Sequence, residues 1–366
     1  MPKISNFHYP FSAVIGQDKL KTALLLVACE PLLGGVLISG HRGTAKSTLA
    51  RSLADLLDNK PFVNCPLGVS EDRLLGSLDI EHVLADGKMK LSSGLFAQAH
   101  GGVLYVDEIN LLPDYLIDLL LDVSASGINY VERDGISHQH PAQFILIGSM
   151  NAEEGALRPQ LLDRFGLSIE INDTPDLQQR LEIVESRLSF DNDPRAFCQH
   201  YVEAQNSLRQ LIHEADKNLK QVSVSFEKKR DIAQYCLEAG VEGVRADLAL
   251  YRAARAQSAL RGANSVTKED IDTVVDLVLD HRRQEPKSLA QPNIRSKDAR
   301  PPNNKNDLQD NASSSQSKES NDSNQQSSQG DWGEMPVEEV SIGLSRQLDP
   351  TKFSQKNTLF EQKKKL

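Results

Sequence analysis

A chain of 366 residues with 39% hydrophobic content has room for one large or two ordinary cores, and its diffuse net charge of -10 argues against a bare basic face for nucleic acid. Four cysteines, Cys29, Cys65, Cys198 and Cys236, stand far apart with no C-x-x-C pair, which argues against a zinc cluster or a disulfide framework and suits a reducing compartment. The longest apolar runs, such as "ALLLVAC", are too short to cross a bilayer and no leader-like start is evident, so the expected location is cytoplasmic with no membrane partner.

In chain order, "GQDKLKTALLLVA" has helical period, and "GVLIS" is the first short apolar run of strand type. "AKSTLARSLADLL" is a helix, "PFVNC" and "GVLYVDE" are strands, and "LPDYLIDLLLDVSASG" is a helix. "AQFILIGSM" and "LSIEIN" complete five strands whose near-continuous apolar character predicts a parallel sheet buried on both faces. Two inserts, "LDIEHVLADGKMKLSSG" and "INYVERDGISHQHPAQF", are expected to be β-hairpins turning at Asp86-Gly87 and Asp134-Gly135. Beyond Pro175 the strand signals stop. "DLQQRLEIVESRL", "PRAFCQHYVEAQNSLRQLIHEA", "EKKRDIAQYCLEAG", "RADLALYRAARAQSAL" and "KEDIDTVVDLVLDHRR" are each expected to be one helix. The fold class is therefore α/β: a nucleotide-binding core over 7–172 with a central parallel sheet and hairpin inserts, then a helical lid over 173–285. Residues 286–366 form a polar tail rich in Ser, Asn and Gln, too poor in apolar groups to offset the entropy of ordering, with an apolar segment at 331–348 that could bind a partner.

Chemistry concentrates at strand ends. Gly40-His41-Arg42-Gly43-Thr44-Ala45-Lys46-Ser47, followed by Thr48, lies between a strand and a helix and nearly spells G-x-x-x-x-G-K-[ST], with alanine for the second glycine. In such a loop, backbone N–H groups and a helix N-terminus face phosphates, the lysine adds charge and the serine hydroxyl ligates Mg2+. If position 45 needs a left-handed backbone, alanine costs about 1–2 kcal/mol; as the first helical residue it gains about 1 kcal/mol over glycine. The helical placement is expected, because Lys46 must sit in the first turn. Asp107 and Glu108 end a buried strand; Asp107 would share the Mg2+ with Ser47, and Glu108 would polarise the attacking water. Asn151 ends another strand at the same sheet edge. Arg158 and Arg164 bracket a short helix, and Arg245 opens a lid helix from which it could reach the γ-phosphate. His138 and His140 share one strand face, but two ligands are too few for a metal site.

These motifs in this order resemble an AAA+ ATPase, and "PFSAVIGQDKLKTALLL", "GGVLYVDEINLLPDYLIDLLLDVSASGINYVERDG" and "MNAEEGALRPQLLDRFGLSIEI" narrow the resemblance to the magnesium chelatase I subunit. The likeness extends over about residues 7–283. It implies ATP and Mg2+ as cofactors, Val14 and Ile15 as further ATP-binding residues, Asn151 as sensor 1, Arg164 as a finger acting on a neighbouring subunit's nucleotide, and Arg245 as sensor 2. It also implies self-association into a ring, expected to be a hexamer, an integrin-type (VWA) D-like partner, and a large porphyrin- or corrin-binding subunit that performs the metal insertion. The alternative is a MoxR-like assembly factor or chaperone, a branch in which alanine is common at the position of Ala45. A DNA-remodelling role through the "VERDGISHQHP" hairpin is disfavoured by its few cationic residues.

Overall fold

The structure, a computed structural model, describes residues 7–58, 60–78, 91–133, 136–172, 175–241 and 243–283. The expected turns at Asp86-Gly87 and Asp134-Gly135 and the tail with its 331–348 segment lie outside the described residues.

The five expected strands form one parallel sheet: β1 (Val36–Gly40), β2 (Phe62–Cys65), β5 (Val103–Val106), β8 (Ile145–Met150) and β9 (Leu167–Ile171), in the order β2-β5-β8-β1-β9. The three inner strands are buried almost throughout, whereas the edge strand β9 alternates, with Ser168 and Glu170 turned away from the core. An inner strand covered on both faces demands continuous apolar sequence and an edge strand does not. Successive side chains alternate between two apolar layers. Val36, Ile38, Val103, Ile147 and Ile169 pack with helices α1 (Asp18–Cys29) and α2 (Lys46–Leu56), and Leu37, Leu104, Val106 and Leu146 pack with residues of the opposite face. That opposite face carries the short helices α3 (Glu71–Leu75) and α4 (Leu95–Ala99), and also α5 (Asp114–Ser126).

Both hairpins are present. β3 (Gly76–Leu78) pairs antiparallel with β4 (Leu91–Ser93), and β6 (Ile128–Arg133) with β7 (Ile136–Pro141). The short helix between Arg158 and Arg164 is α6 (Pro159–Leu162). C-terminal to the sheet come α7 (Leu177–Asn192), α8 (Pro194–His200), α9 (Val202–Leu219), α10 (Phe226–Glu238), α11 (Arg245–Leu260) and α12 (Lys268–Leu279). The single helix expected over 194–215 is two, broken at Tyr201, whose backbone leaves the helical region at φ -96°, ψ 4°. Alanines 246, 249, 253, 254, 256 and 259 of α11 are all buried. With no bulk beyond Cβ they let neighbouring helices approach closely, and α11 joins α9, α12 and α1 in the same apolar layer as one face of the sheet. The helical bundle is thus welded to the flank of the core by apolar contact.

Candidate active site

At the C-terminal edge of the sheet, β1, β5 and β8 end around a cleft of about 570 Å3. Parallel sheets place ligands at this edge because loops and helix N-termini converge there. The loop after β1 supplies Arg42, Gly43, Thr44, Ala45, Lys46, Ser47 and Thr48 to the lining. Gly40 must be glycine: its φ is 159°, and a Cβ there would lie 2.9 Å from Cβ of Ile171. His41 points outward, with Nδ1 3.7 Å from Glu153 Oε1.

Ala45 corrects the expectation stated for it. It is not the first helical residue but the N-cap of α2, at φ 63° and ψ 20° in the left-handed region, and the helix begins at Lys46. The loop must reverse direction one residue before the helix so that successive N–H groups turn inward, and the alanine carries that strain. Lys46 folds its Nζ onto the carbonyl oxygens of Gly40 and His41, the latter at 3.1 Å. Partial burial pushes its amine down, opposed by the negative charges of Asp107, Glu108 and Glu154.

Asp107 and Glu108 leave β5 side by side and have different surroundings. Asp107 Oδ1 accepts a 2.5 Å hydrogen bond from the Ser149 hydroxyl, and Tyr105 donates to Ser149 Oγ at 3.0 Å. Burial raises the Tyr105 hydroxyl well above its ordinary value, keeping it a donor. Oδ2 of Asp107 has no hydrogen bond among the described residues. Together with the Ser47 hydroxyl at the start of α2, it offers the hard oxygen donors that Mg2+ takes alongside nucleotide phosphates and water. Glu108 adopts φ 49° and ψ 50°, a left-handed backbone that costs a non-glycine residue of order 1–3 kcal/mol. Its Oε1 accepts a hydrogen bond from Arg42 Nη2 at 3.0 Å. The same nitrogen donates to Glu154 Oε1. Asn151 is buried at the end of β8, where its Oδ1 accepts from the backbone N–H of Glu153 at 3.4 Å and so caps the turn that carries Glu154.

Val14 and Ile15 line the opposite wall with Tyr9, Gln17, Pro175, Ile183 and Arg187. Apart from Val14 and Ile15, that wall was not foreseen. Ile183 and Arg187 are four residues apart on one face of α7, a spacing common to every helix and therefore silent about a ligand. Tyr105 and Ser149 were legible in principle, since each lies two residues before Asp107 or Asn151 and so shares its side of the strand.

Arg164 and Arg245 do not line the cleft. Arg164 pairs through Nη1 with Asp118 and through Nη2 with Asp122, while Arg158 Nε lies 2.7 Å from Asp114. The three aspartates recur every fourth residue and form one stripe along α5. Arg245 Nη1 donates to Asp163 Oδ2 at 2.8 Å, beside the Arg164 backbone. Among the described residues no group of three or more His, Cys, Asp or Glu side chains could hold a metal ion. His140 instead packs with Asn129, whose Nδ2 lies 2.9 Å from its Nε2.

Comparison with known proteins gives two family matches: the AAA domain (dynein-related subfamily) over residues 35–165 and the AAA lid domain over 229–304. The rice chloroplastic magnesium-chelatase subunit ChlI is 46% identical, covering 76% of this chain and 77% of the relative. An uncharacterized protein of Mycobacterium tuberculosis is 48% identical over 75% of this chain, which spans only 45% of that longer relative. A crystal structure of a candidate ATPase from Cytophaga hutchinsonii, 20% identical, matches the fold with a TM-score of 0.57, covering 74% of this chain and 84% of the other.

Proposed function

Because the chain belongs to the I-subunit family of magnesium chelatases within the AAA ATPases, we propose that it is the ATP-hydrolysing motor subunit of a magnesium or cobalt chelatase. The observation that carries this reading is the convergence of the phosphate loop, Asp107, Glu108 and Asn151 on one cleft. Lys46 and the loop N–H groups bind the β- and γ-phosphates, and Ser47 and Asp107 hold Mg2+. When bound, the metal neutralises charge on the phosphates. Glu108 accepts a hydrogen bond from the attacking water and draws its proton, while Asn151 positions that water. Val14 and Ile15 give the base an apolar wall. Arg164 and Arg245, which do not line the cleft of their own chain, serve a nucleotide held by the next subunit of a ring. The motor works with an integrin-type subunit and with a large tetrapyrrole-binding subunit that performs the insertion.

The test is reconstitution with those two subunits, assaying insertion of Mg2+ against Co2+ into the tetrapyrrole. Glu108→Gln is expected to keep nucleotide binding and to lower turnover by about a hundredfold or more, abolishing insertion. Robust ATPase activity without insertion of either metal would favour the MoxR-like assembly role, and normal turnover in Glu108→Gln would end the assignment of that residue.

A further inference from the structure

Arg42 occupies an unspecified position of the phosphate-loop pattern, yet it ties the ends of two strands together in the cleft. Its Nη2 serves two carboxylates that arrive from different strands, Glu108 from β5 and Glu154 from the turn after β8. Glu108 and Glu154 are mostly buried, whereas the arginine side chain is 73% exposed. Nε and Nη1 of the guanidinium make no hydrogen bond among the described residues, and Arg42 lines the cleft, which leaves those donors for a ligand bound there. Glu154 is held by one oxygen only: Oε2 is buried with no partner among the described residues. The catalytic carboxylate is therefore engaged by a cation belonging to the phosphate-binding loop itself.

Guanidinium prefers a phosphoryl group, to which it can present two parallel N–H donors, over a carboxylate reached through one nitrogen. Resting on the ATPase reading above, we propose that Arg42 is a positioning residue that holds Glu108 while the cleft lacks a γ-phosphate and passes to the γ-phosphate of a bound nucleoside triphosphate, freeing Glu108 for the attacking water. A diphosphate has no group to draw the arginine away, so Glu108 stays engaged. The two carboxylates and the γ-phosphate thus compete for one cation. By linkage, weakening a carboxylate's hold strengthens triphosphate binding, and only while the arginine is present.

The experiment measures equilibrium binding of Mg2+-AMP-PNP and Mg2+-ADP to the full chain and to Arg42→Ala, Glu154→Gln and the double variant. Arg42→Ala, at an exposed side chain, is expected to weaken AMP-PNP about tenfold or more, the scale of a charged hydrogen bond, and ADP less than about threefold. Glu154→Gln, which removes a competitor, is expected to tighten AMP-PNP relative to ADP by roughly threefold or more, an effect absent in the double variant. Equal weakening of both nucleotides by Arg42→Ala would overturn the proposal. So would a Glu154→Gln effect that persists without Arg42, since plain charge repulsion would then account for it. A wild-type chain that binds neither nucleotide would remove the ATPase reading and this proposal with it.

Discussion

At the scale of single residues, the cleft concentrates left-handed backbone where chemistry is assigned. Of four non-glycine residues with positive φ among those described, three, Gln17, Ala45 and Glu108, line the cleft. Ala45 invites a test of sign. A left-handed L-residue costs about 1–2 kcal/mol, which glycine would relieve, while glycine's extra freedom in the unfolded chain costs about 0.4–1 kcal/mol. Ala45→Gly is therefore expected to leave stability unchanged or raise it by up to about 1.5 kcal/mol. Had Ala45 been helical, the same change would have lowered stability by about 1 kcal/mol. Urea denaturation distinguishes the two, and a clear loss would count against the observed loop geometry. The placement of Lys46, Ser47, Asp107 and Asn151 in one cleft was legible because strand-loop-helix order and strand ends fix where such side chains emerge. The backbone at Ala45 was not, since alanine is favourable in a helix and the loop overrides that local preference. Nor was the pairing of Arg42 with Glu108 and Glu154, because those partners are 66 and 112 residues away and only the sheet order brings them together.

At the scale of elements, the turn that follows α12 rivets the segment that carries Arg164. Arg282, with a side chain only 1% exposed, reaches Asp163 Oδ1 at 3.2 Å, the Asp163 carbonyl at 2.9 Å and the Gly166 carbonyl at 3.3 Å. His281 beside it lies with Nε2 3.3 Å from the Phe165 carbonyl, donating as the neutral tautomer. Burial, seconded by the Arg282 charge, pushes its pKa down to about 3 from an ordinary 6.5. The folded value lies below the unfolded one, so the unfolded chain binds the extra proton first. Stability is complete above about pH 6.5 and falls as pH drops toward 3, with a limiting slope of about 1.4 kcal/mol per pH unit. His281→Gln, which keeps an N–H donor, is expected to flatten the loss between about pH 6.5 and pH 4 with little change at neutral pH. Denaturation midpoints across that range provide the measurement, and an unchanged acid limb would sink the idea. Periodicity placed each of the five strands and most of the helices correctly. It ran one helix through Tyr201, where apolar spacing continues across the break, and another through His281 and Arg282, where no glycine or proline marks a stop after Leu279. Lid geometry escaped it as well: α11 packs on α1, and Arg245 meets Asp163 instead of the cleft of its own chain.

At the scale of the whole molecule, the described chain holds two half-sites that do not meet. The cleft holds Glu108, the carboxylate proposed to activate water, and Arg164 does not line it but rests on Asp118 and Asp122 along α5. In the proposed head-to-tail ring the two would meet, because a heterologous interface joins unlike surfaces of successive copies and closes when its rotation allows. A carboxylate pair that is about half exposed holds an arginine only weakly, so a neighbour's γ-phosphate can compete for Arg164 at modest cost. The expected consequence is complementation between two inactive variants. Arg164→Ala alone and Glu108→Gln alone each lower ATPase activity, the first by about a thousandfold if the arginine acts as a finger. In an equal mixture of the two, a site is complete when an Arg164→Ala chain supplies the intact Glu108 and its neighbour, a Glu108→Gln chain, supplies the intact Arg164. Random assembly makes about one site in four complete, so the mixture should recover roughly a quarter of wild-type activity, diluting with any subunit that fails to exchange. Steady-state ATPase measured after subunit exchange reads this directly. Activity no higher than the sum of the separate variants would show that Arg164 does not reach a neighbour's nucleotide, and would leave the arginine as a brace between α5 and the segment preceding β9.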